Sequence, residues 1–283
     1  MKRVKLALCQ MQVGPEVAGN LATARRMLAE AAKARADIVV LPEMFPCPYR
    51  QDGFAEYAES SEGTIVGLLR QAACDGGYYL IGGSFPERAA DGSIFNASYV
   101  LDPTGRVLAV HRKLHLFDVE LSEGVSFQES AALQRGMAPA LVDLAGVKTG
   151  IGICYDLRFP EYARLLALAG AELLVYPGAF NPVTGPAHWE LLLRARAVDN
   201  QVFTVGVSPA PHRDLDYQAY GHSMAVDPWG RVLVTADQEE ALLLTDLDPD
   251  VLEKVRRELP VLKHRRTDLY RVQGIAKWAG WGD

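Results

Sequence analysis

Residues 36–45 read ADIVVLPEMF and residues 171–180 read AELLVYPGAF. Each string is a small residue, an acid and three apolar residues, followed by x-Pro-x-x-Phe. That is the pattern of a buried strand stopped by proline. Two further strings recur in the same order. The opening VKLALCQM (4–11) is echoed by VKTGIGIC (147–154), and the turn LDPTGRVL (101–108) by VDPWGRVL (226–233). The distance between partners is far too long for a solenoid repeat. The echo therefore predicts two related α/β halves, whose mixed sheets pack face to face with helices outside.

Working outward, short apolar runs alternate with helix-like stretches. Val4–Gln10, Ile38–Leu41, Tyr79–Gly83, Phe95–Leu101 and Val107–Lys113 read as strands, with helices from an Asn20 cap through Lys33 and over Thr64–Cys74. Leu114–Ala138 has weak periodicity and several turn formers, so a long surface loop is expected. Strands follow at Leu141–Leu144, Val147–Cys154, Leu173–Pro177 and Val202–Ser208, and further ones near Met224 and Val232. Helices are expected from Pro160 and over Pro186–Asn200. With no Pro/Gly/Ser-rich linker, residues 1–283 read as one domain.

The chain has 283 residues, 49% apolar and 23% charged, with net charge −6. It is long enough for a sizeable core and too apolar to be disordered. The acidic balance argues against a nucleic-acid partner, and no apolar run is long enough to span a membrane. Met1–Gln10 lacks the apolar stretch and cleavage site of a signal peptide. Cys9, Cys47, Cys74 and Cys154 form no disulfide framework, which leads to the expectation of a cytoplasmic protein with reduced thiols.

The echo is most informative where it breaks. Glu43 stands where the other half has Gly178, and Cys154 stands where the first half has Met11. Both follow predicted strands, where α/β sheets place ligands. In GIGICYDLRFPE, Cys154 sits between a strand and a helix, a context like a nucleophile elbow without its GxSxG string. On position alone Cys154 fits a buried core thiol as well as a nucleophile, and Glu43 fits a surface acid as well as a base. Cys9 and Cys74 look structural; Cys47, between two prolines, stays open. A thiol nucleophile needs a base and an electrostatic partner. No histidine lies in a known cysteine-protease signature, and His111 and His115 lack a third metal ligand at a known spacing. Lys113, in HRKLHLFD, is the remaining cation, although a lone lysine there fits a solvated surface equally.

Taken together, VVLPEMF, HRKLHLFD and GIGICYDLRFPE resemble the three separated motifs of the carbon–nitrogen hydrolase (nitrilase) superfamily, over nearly the whole chain. The resemblance implies a four-layer α-β-β-α sandwich with internal pseudo-two-fold symmetry, and catalytic roles for Glu43, Lys113 and Cys154. Glu129, in SFQES, matches the second glutamate of many members. HLFDVELSEG…FQES, YPGAFNPVTGPAHWELLLRARAVDNQ and YGHSMAVDPWG are most similar to the ω-amidases. Amidases of deaminated glutathione share several of these strings.

The resemblance implies hydrolysis of short α-keto dicarboxylate monoamides such as α-ketoglutaramate and α-ketosuccinamate through a cysteine thioester, with no metal or organic cofactor. Alternatives are deaminated glutathione, nitrile or N-carbamoyl substrates, and, remotely, a catalytically silent scaffold. Glu43 would be the base and Lys113, with the Tyr155 N–H, would stabilise the oxyanion. Glu129 would support Lys113 or act as a base itself. Arg158, four residues past Cys154, suits capture of the far carboxylate, its alternative being an ion pair with Glu161 or Asp156. Tyr49, Phe117, Tyr155, Phe180 and His188 are expected pocket walls, and Trp189 packing. A homodimer or larger homo-oligomer is expected, with the 260–283 tail, carrying Trp278 and Trp281, docked on the body or a partner subunit.

Overall fold

The repeated strings fold as repeated strands. In a computed structural model that describes residues 3–120 and 126–274, β1 (Val4–Gln10), β2 (Ile38–Val40) and β3 (Tyr79–Ile81) run parallel. β4 (Phe85–Arg88), β5 (Ile94–Leu101) and β6 (Val107–Arg112) complete that sheet with antiparallel pairings. A small hairpin follows, β7 (Asp118–Glu120) with β8 (Ser126–Gln128). The second sheet holds β9 (Ala140–Leu144), β10 (Val147–Ile151), β11 (Leu173–Pro177), β12 (Phe203–Val207), β13 (Met224–Val226) and β14 (Val232–Thr235). The last strand, β15 (Ala241–Leu247), returns to the first sheet beside β1.

The symmetry is a matter of pairings. Along β15-β1-β2-β3-β5-β6 the neighbours are antiparallel, parallel, parallel, antiparallel, antiparallel. The order along β9-β10-β11-β12-β13-β14 is the same. Even the irregularity repeats: the register shifts at Val100/Leu101 in one hairpin and at Ala225/Val226 in the other. The cause is the D-P-x-G turn. Asp102 Oδ1 accepts from the N–H groups of Thr104 (2.9 Å) and Arg106 (3.1 Å), and Asp227 Oδ1 from those of Trp229 (2.8 Å) and Arg231 (2.9 Å). An aspartate that bonds its own downstream backbone closes the turn in both halves.

Side-chain alternation along the strands separates three apolar layers. Leu6, Leu8, Ile38 and Val40 face Ile151, Leu173, Val175 and Val205 between the sheets. Ala7, Cys9 and Val39 point the other way, under α1 (Val17–Lys33) and, after α2 (Phe54–Tyr57), α3 (Thr64–Gly76). Leu174 and Tyr176 likewise pack under α4 (Pro160–Leu168) and α5 (Gly185–Asn200). The result is the four-layer α-β-β-α sandwich, with α6 (Pro249–Glu258) near its end. No helix among the described residues is long and apolar enough to cross a membrane.

Two readings need correction. Asn20 does not cap α1 but lies inside it, buried. Its side chain holds the Gly14 backbone (2.7 and 2.9 Å) and the Pro46 carbonyl (3.1 Å), tying the helix to the loop after β2. The described part of 114–138 is also more than a surface loop. Within it Leu116, Phe117, Glu129 and Leu133 are buried, because its aperiodic apolar residues fill a cluster with Met44, Tyr49 and Phe54. Of the tail, Trp278 and Trp281 lie outside the described residues.

Candidate active site

The polar residues that break the echo meet at the C-terminal ends of the parallel strands. The chain leaving β2 turns sharply because Met44 adopts a left-handed conformation (φ 49°) and donates its N–H to Ser84 Oγ (3.1 Å). Gly83 allows this turn: a Cβ there would lie 2.2 Å from the Pro42 carbonyl oxygen. Glu43 is thereby turned inward and fully buried. Cys154 follows β10 at φ 45° and heads a single 3-10 turn, Cys154–Arg158. A non-glycine residue held in that region stores strain on the order of 1–3 kcal/mol and persists only where its surroundings enforce it. Gly178, the echo partner of Glu43, is needed for space, since a Cβ on it would be 3.3 Å from Cys154 Cα and 3.0 Å from the Trp189 ring.

Lys113 follows β6 and is entirely buried between two carboxylates. Its Nζ donates to Glu43 Oε1 (3.0 Å) and to Glu129 Oε1 (3.0 Å), and Glu129 Oε2 lies 2.9 Å away in the same ion pair. Glu43 Oε1 also accepts from Asn96 Nδ2 (2.9 Å), and Oε2 accepts from the Ala179 N–H (2.8 Å). The Cys154 thiol lies beside the same carboxylate, close enough for each group to shift the other's proton affinity. Glu129 is held by the Tyr49 hydroxyl (2.6 Å) and the Phe117 N–H (2.6 Å), so both of its oxygens are taken.

The protonation states follow from burial and charge. Burial raises Glu43 above the usual carboxylate range; Lys113 opposes the rise and Glu129 adds to it. Burial alone would depress Lys113, but the Glu129 and Glu43 carboxylates outweigh it and hold the ammonium well above its ordinary value. Burial, then the Glu43 charge, pushes Cys154 well above a free thiol, with Lys113 opposing. The resting nucleophile is thus a neutral thiol beside a carboxylate with raised proton affinity. Burial also pushes Cys9 up to about 12 and raises Cys47, and both are among buried apolar side chains. Cys74 is exposed.

A narrow cavity of about 10 Å³, roughly the room of one water, opens onto Cys154, walled by Phe117, Tyr155, Phe180, Thr184 and Tyr217, with Arg158 among them. Arg158 pairs with neither Glu161 nor Asp156. Its guanidinium donates to His188 Nδ1 (3.1 Å) and lies over the rings of Phe180 (4.6 Å) and Tyr155 (5.7 Å). It has no carboxylate partner among the described residues, and burial lowers its pKa. Tyr49 stands outside this cavity, stacked on Phe127, and reaches the site through Glu129. Trp189 is core, its indole N–H donating to the His222 carbonyl (2.8 Å).

Several site residues were not read from the sequence. Tyr217 donates to the Ala179 carbonyl (2.6 Å) and walls the cavity, and Thr184 shares it. These come from loops with no periodic signal. Asn96 did carry one: an amide inside the apolar strand IFNASYVL needs a buried partner.

Comparison with known proteins settles the family. A profile described as Carbon-nitrogen hydrolase matches residues 5–257. The chain belongs to the carbon–nitrogen hydrolase family. As a carbon–nitrogen hydrolase it is 48% identical to an omega-amidase, NIT2, of Mus musculus over 96% of this chain and 99% of the relative. It is 45% identical to the Danio rerio omega-amidase NIT2 over 97% and 99%. Among solved structures, Nit3 of Saccharomyces cerevisiae, a member of branch 10 of the nitrilase superfamily, superposes with a TM-score of 0.86 at 40% identity, over 94% and 97% of the two chains. An amidase from Nesterenkonia, caught after Michael addition of acrylamide at its active site cysteine, superposes with a TM-score of 0.73 at 27% identity, over 91% and 98%. This carbon–nitrogen hydrolase is an amidase, similar to the omega-amidases along nearly its full length.

Proposed function

We propose that the enzyme hydrolyses the terminal amide of short α-keto dicarboxylate monoamides, α-ketoglutaramate and α-ketosuccinamate, to the acid and ammonia. The observation that carries this reading is Arg158: a largely buried cation without a carboxylate partner among the described residues, sharing one small cavity with the Cys154 thiol. A guanidinium there suits the far carboxylate of a substrate short enough to reach both ends.

In the proposed reaction Cys154 Sγ attacks the amide carbon as its proton passes to Glu43. Negative charge collects on the amide oxygen, where the Lys113 ammonium and the Tyr155 N–H stabilise it. The C–N bond breaks as Glu43 returns the proton to nitrogen, and ammonia leaves a thioester on Cys154. Glu43 then takes a proton from water as its oxygen attacks the thioester carbon. The C–S bond breaks, and the proton returns to sulfur. Glu129, with both oxygens already occupied, acts on Lys113 rather than as a second base.

Ammonia release tests the substrate: α-ketoglutaramate should turn over well and deaminated glutathione poorly, and the reverse result would contradict the proposal. The longer substrate is a second reading because an outer cavity of about 740 Å³, lined by Tyr49, Phe127 and Asn181, shares Tyr217 with the inner one. Arg158→Met should raise KM for α-ketoglutaramate about 10–100-fold, the worth of a lost hydrogen-bonded charge contact. Steady-state kinetics with an unchanged KM would remove Arg158 from carboxylate binding.

We also infer a cytoplasmic homodimer. Leu191 and Val198 on the outer face of α5 and Trp229 in the adjoining turn are exposed, and Arg194 Nε fixes that turn to the helix through the Gly230 carbonyl (2.9 Å). These exposed apolar side chains on one helix and its adjoining turn are what a second copy would bury. Sedimentation should give a dimer that Leu191→Glu weakens; a monomer at micromolar concentration would refute it.

A further inference from the structure

Asp156 is the second residue past the nucleophile, is completely buried, and takes no part in the chemistry described above. Its carboxylate accepts four hydrogen bonds. Oδ2 accepts from the Ile153 N–H (2.9 Å) and from His111 Nε2 (3.0 Å). Oδ1 accepts from the His115 N–H (3.0 Å) and from His115 Nδ1 (2.7 Å). Burial would raise this group, but the bonds from both histidines outweigh it and hold the carboxyl well below the usual range. It is therefore an anion, a stronger acceptor than a neutral group.

What these donors flank is the point. Ile153 immediately precedes Cys154. His111 and His115 stand two residues before and two residues after Lys113. One carboxylate thus bonds the backbone entering the nucleophile turn and both sides of the segment that presents the cation. The rest of each segment is anchored elsewhere. The Lys113 N–H donates to the Asn96 carbonyl (2.9 Å), and its own carbonyl accepts from the Gly136 N–H (2.8 Å). Neither of these bonds reaches the Cys154 turn. The His115 ring is also fixed by stacking on Phe159, centroids 3.7 Å apart, at the far end of the same 3-10 turn.

We propose that Asp156 is a positioning residue: with His111 and His115 it sets the distance between the Cys154 thiol and the Lys113 ammonium and enforces the left-handed backbone at Cys154. A backbone held at φ 45° at Cys154 needs more than the turn's own main chain to keep it there, and the Asp156 carboxylate supplies that by bonding the Ile153 N–H and by reaching out of the turn to His111 and His115. Oxyanion stabilisation needs the cation placed to within a fraction of an ångström, and a misplacement of about 1 Å costs on the order of 10²-fold in rate.

Asp156→Asn is the test, because the amide is isosteric but turns two acceptor sites into a donor facing donors. In steady-state ammonia release the variant should lose about 10²-fold in kcat with KM changed less than about threefold, since none of the bonds to the Asp156 carboxylate involves the Arg158 guanidinium. Alkylation of Cys154 by iodoacetamide, read by mass spectrometry, should slow in parallel. If Asp156→Asn does not fold, His115→Phe keeps the stack on Phe159 and removes only the Nδ1 bond; it should lose about tenfold in kcat, again without a change in KM. A folded Asp156→Asn variant with kcat within about threefold of wild type overturns the proposal. So does a loss confined to melting temperature, or one that falls in KM alone. A His115→Phe variant with unchanged kcat overturns it where only that variant folds.

Discussion

Cys154→Ala should lose ammonia release by at least about 10⁴-fold while folding normally. Removing a covalent nucleophile leaves only binding and oxyanion stabilisation, and these recover a small part of the rate. The loss of structure is slight. Sγ is a small buried atom, and the Glu43 carboxylate beside it keeps its Asn96, Lys113 and Ala179 donors. Circular dichroism and a melting temperature near that of the wild type would establish the fold. Equivalent substitutions at Cys9 and Cys47 make the control: they should affect packing and stability, with turnover per folded molecule retained, because their thiols lie among apolar side chains. Retained ammonia release in Cys154→Ala would remove the thiol from the mechanism.

Lys113→Met should damage both activity and stability. The ammonium is the only cation bonded to Glu43 and Glu129 among the described residues, and all three side chains are fully buried. Breaking a buried ion pair by deleting one partner costs about 3–5 kcal/mol, because the remaining charge is left uncompensated. For a chain of this length that corresponds to a drop in melting temperature of roughly 10 °C. Activity should fall by about 10²–10³-fold or more from the loss of an oxyanion donor alone. The pH dependence carries a sign that can be checked. Glu43 is already raised by burial, and Lys113 is the main influence holding that rise down. Without it the folded-state value climbs further above the unfolded one. A raised carboxyl contributes stability that is present below the unfolded pKa and lost as pH rises through the folded value. The deficit of the variant should therefore be smallest near pH 5 and grow toward pH 8, as followed by thermal unfolding across that range. A deficit that shrinks with rising pH would contradict the assignment of charges.

These effects were legible in the sequence to different degrees, for physical reasons. Glu43 and Cys154 stood out because they interrupt a repeat, and strand–proline and D-P-x-G strings encode local backbone geometry that a reader can match. That the two sheets are mixed and face each other follows from the same strings; the order in which their strands pair does not. Nor does β15, because its partner is β1, more than 230 residues away, and no local pattern specifies a return across the whole chain. β4 was hidden by Pro86, which demotes a strand pattern and is tolerated here at the sheet edge. The 114–138 stretch failed for another reason: Leu116, Phe117, Phe127 and Leu133 bury themselves without period 2 or 3.6, around a hairpin and a single turn. Ala179 is invisible to any reading of side chains, since its contribution to Glu43 is a backbone N–H. In the sequence Asp156 offers itself only as a partner for Arg158, because adjacency suggests a local pair. Folding instead brought His111 and His115 across from the other sheet.

In the proposed reaction the acyl group passes through Cys154. Wild-type enzyme quenched in acid during steady-state turnover of α-ketoglutaramate, then digested and mapped by mass spectrometry, tests this directly. An acyl adduct, thioester-linked and released by hydroxylamine, is expected on the peptide carrying Cys154. Rapid turnover with the adduct on another residue, or with ammonia released and no acyl group on Cys154 under conditions where hydroxylamine forms no hydroxamate, would contradict it.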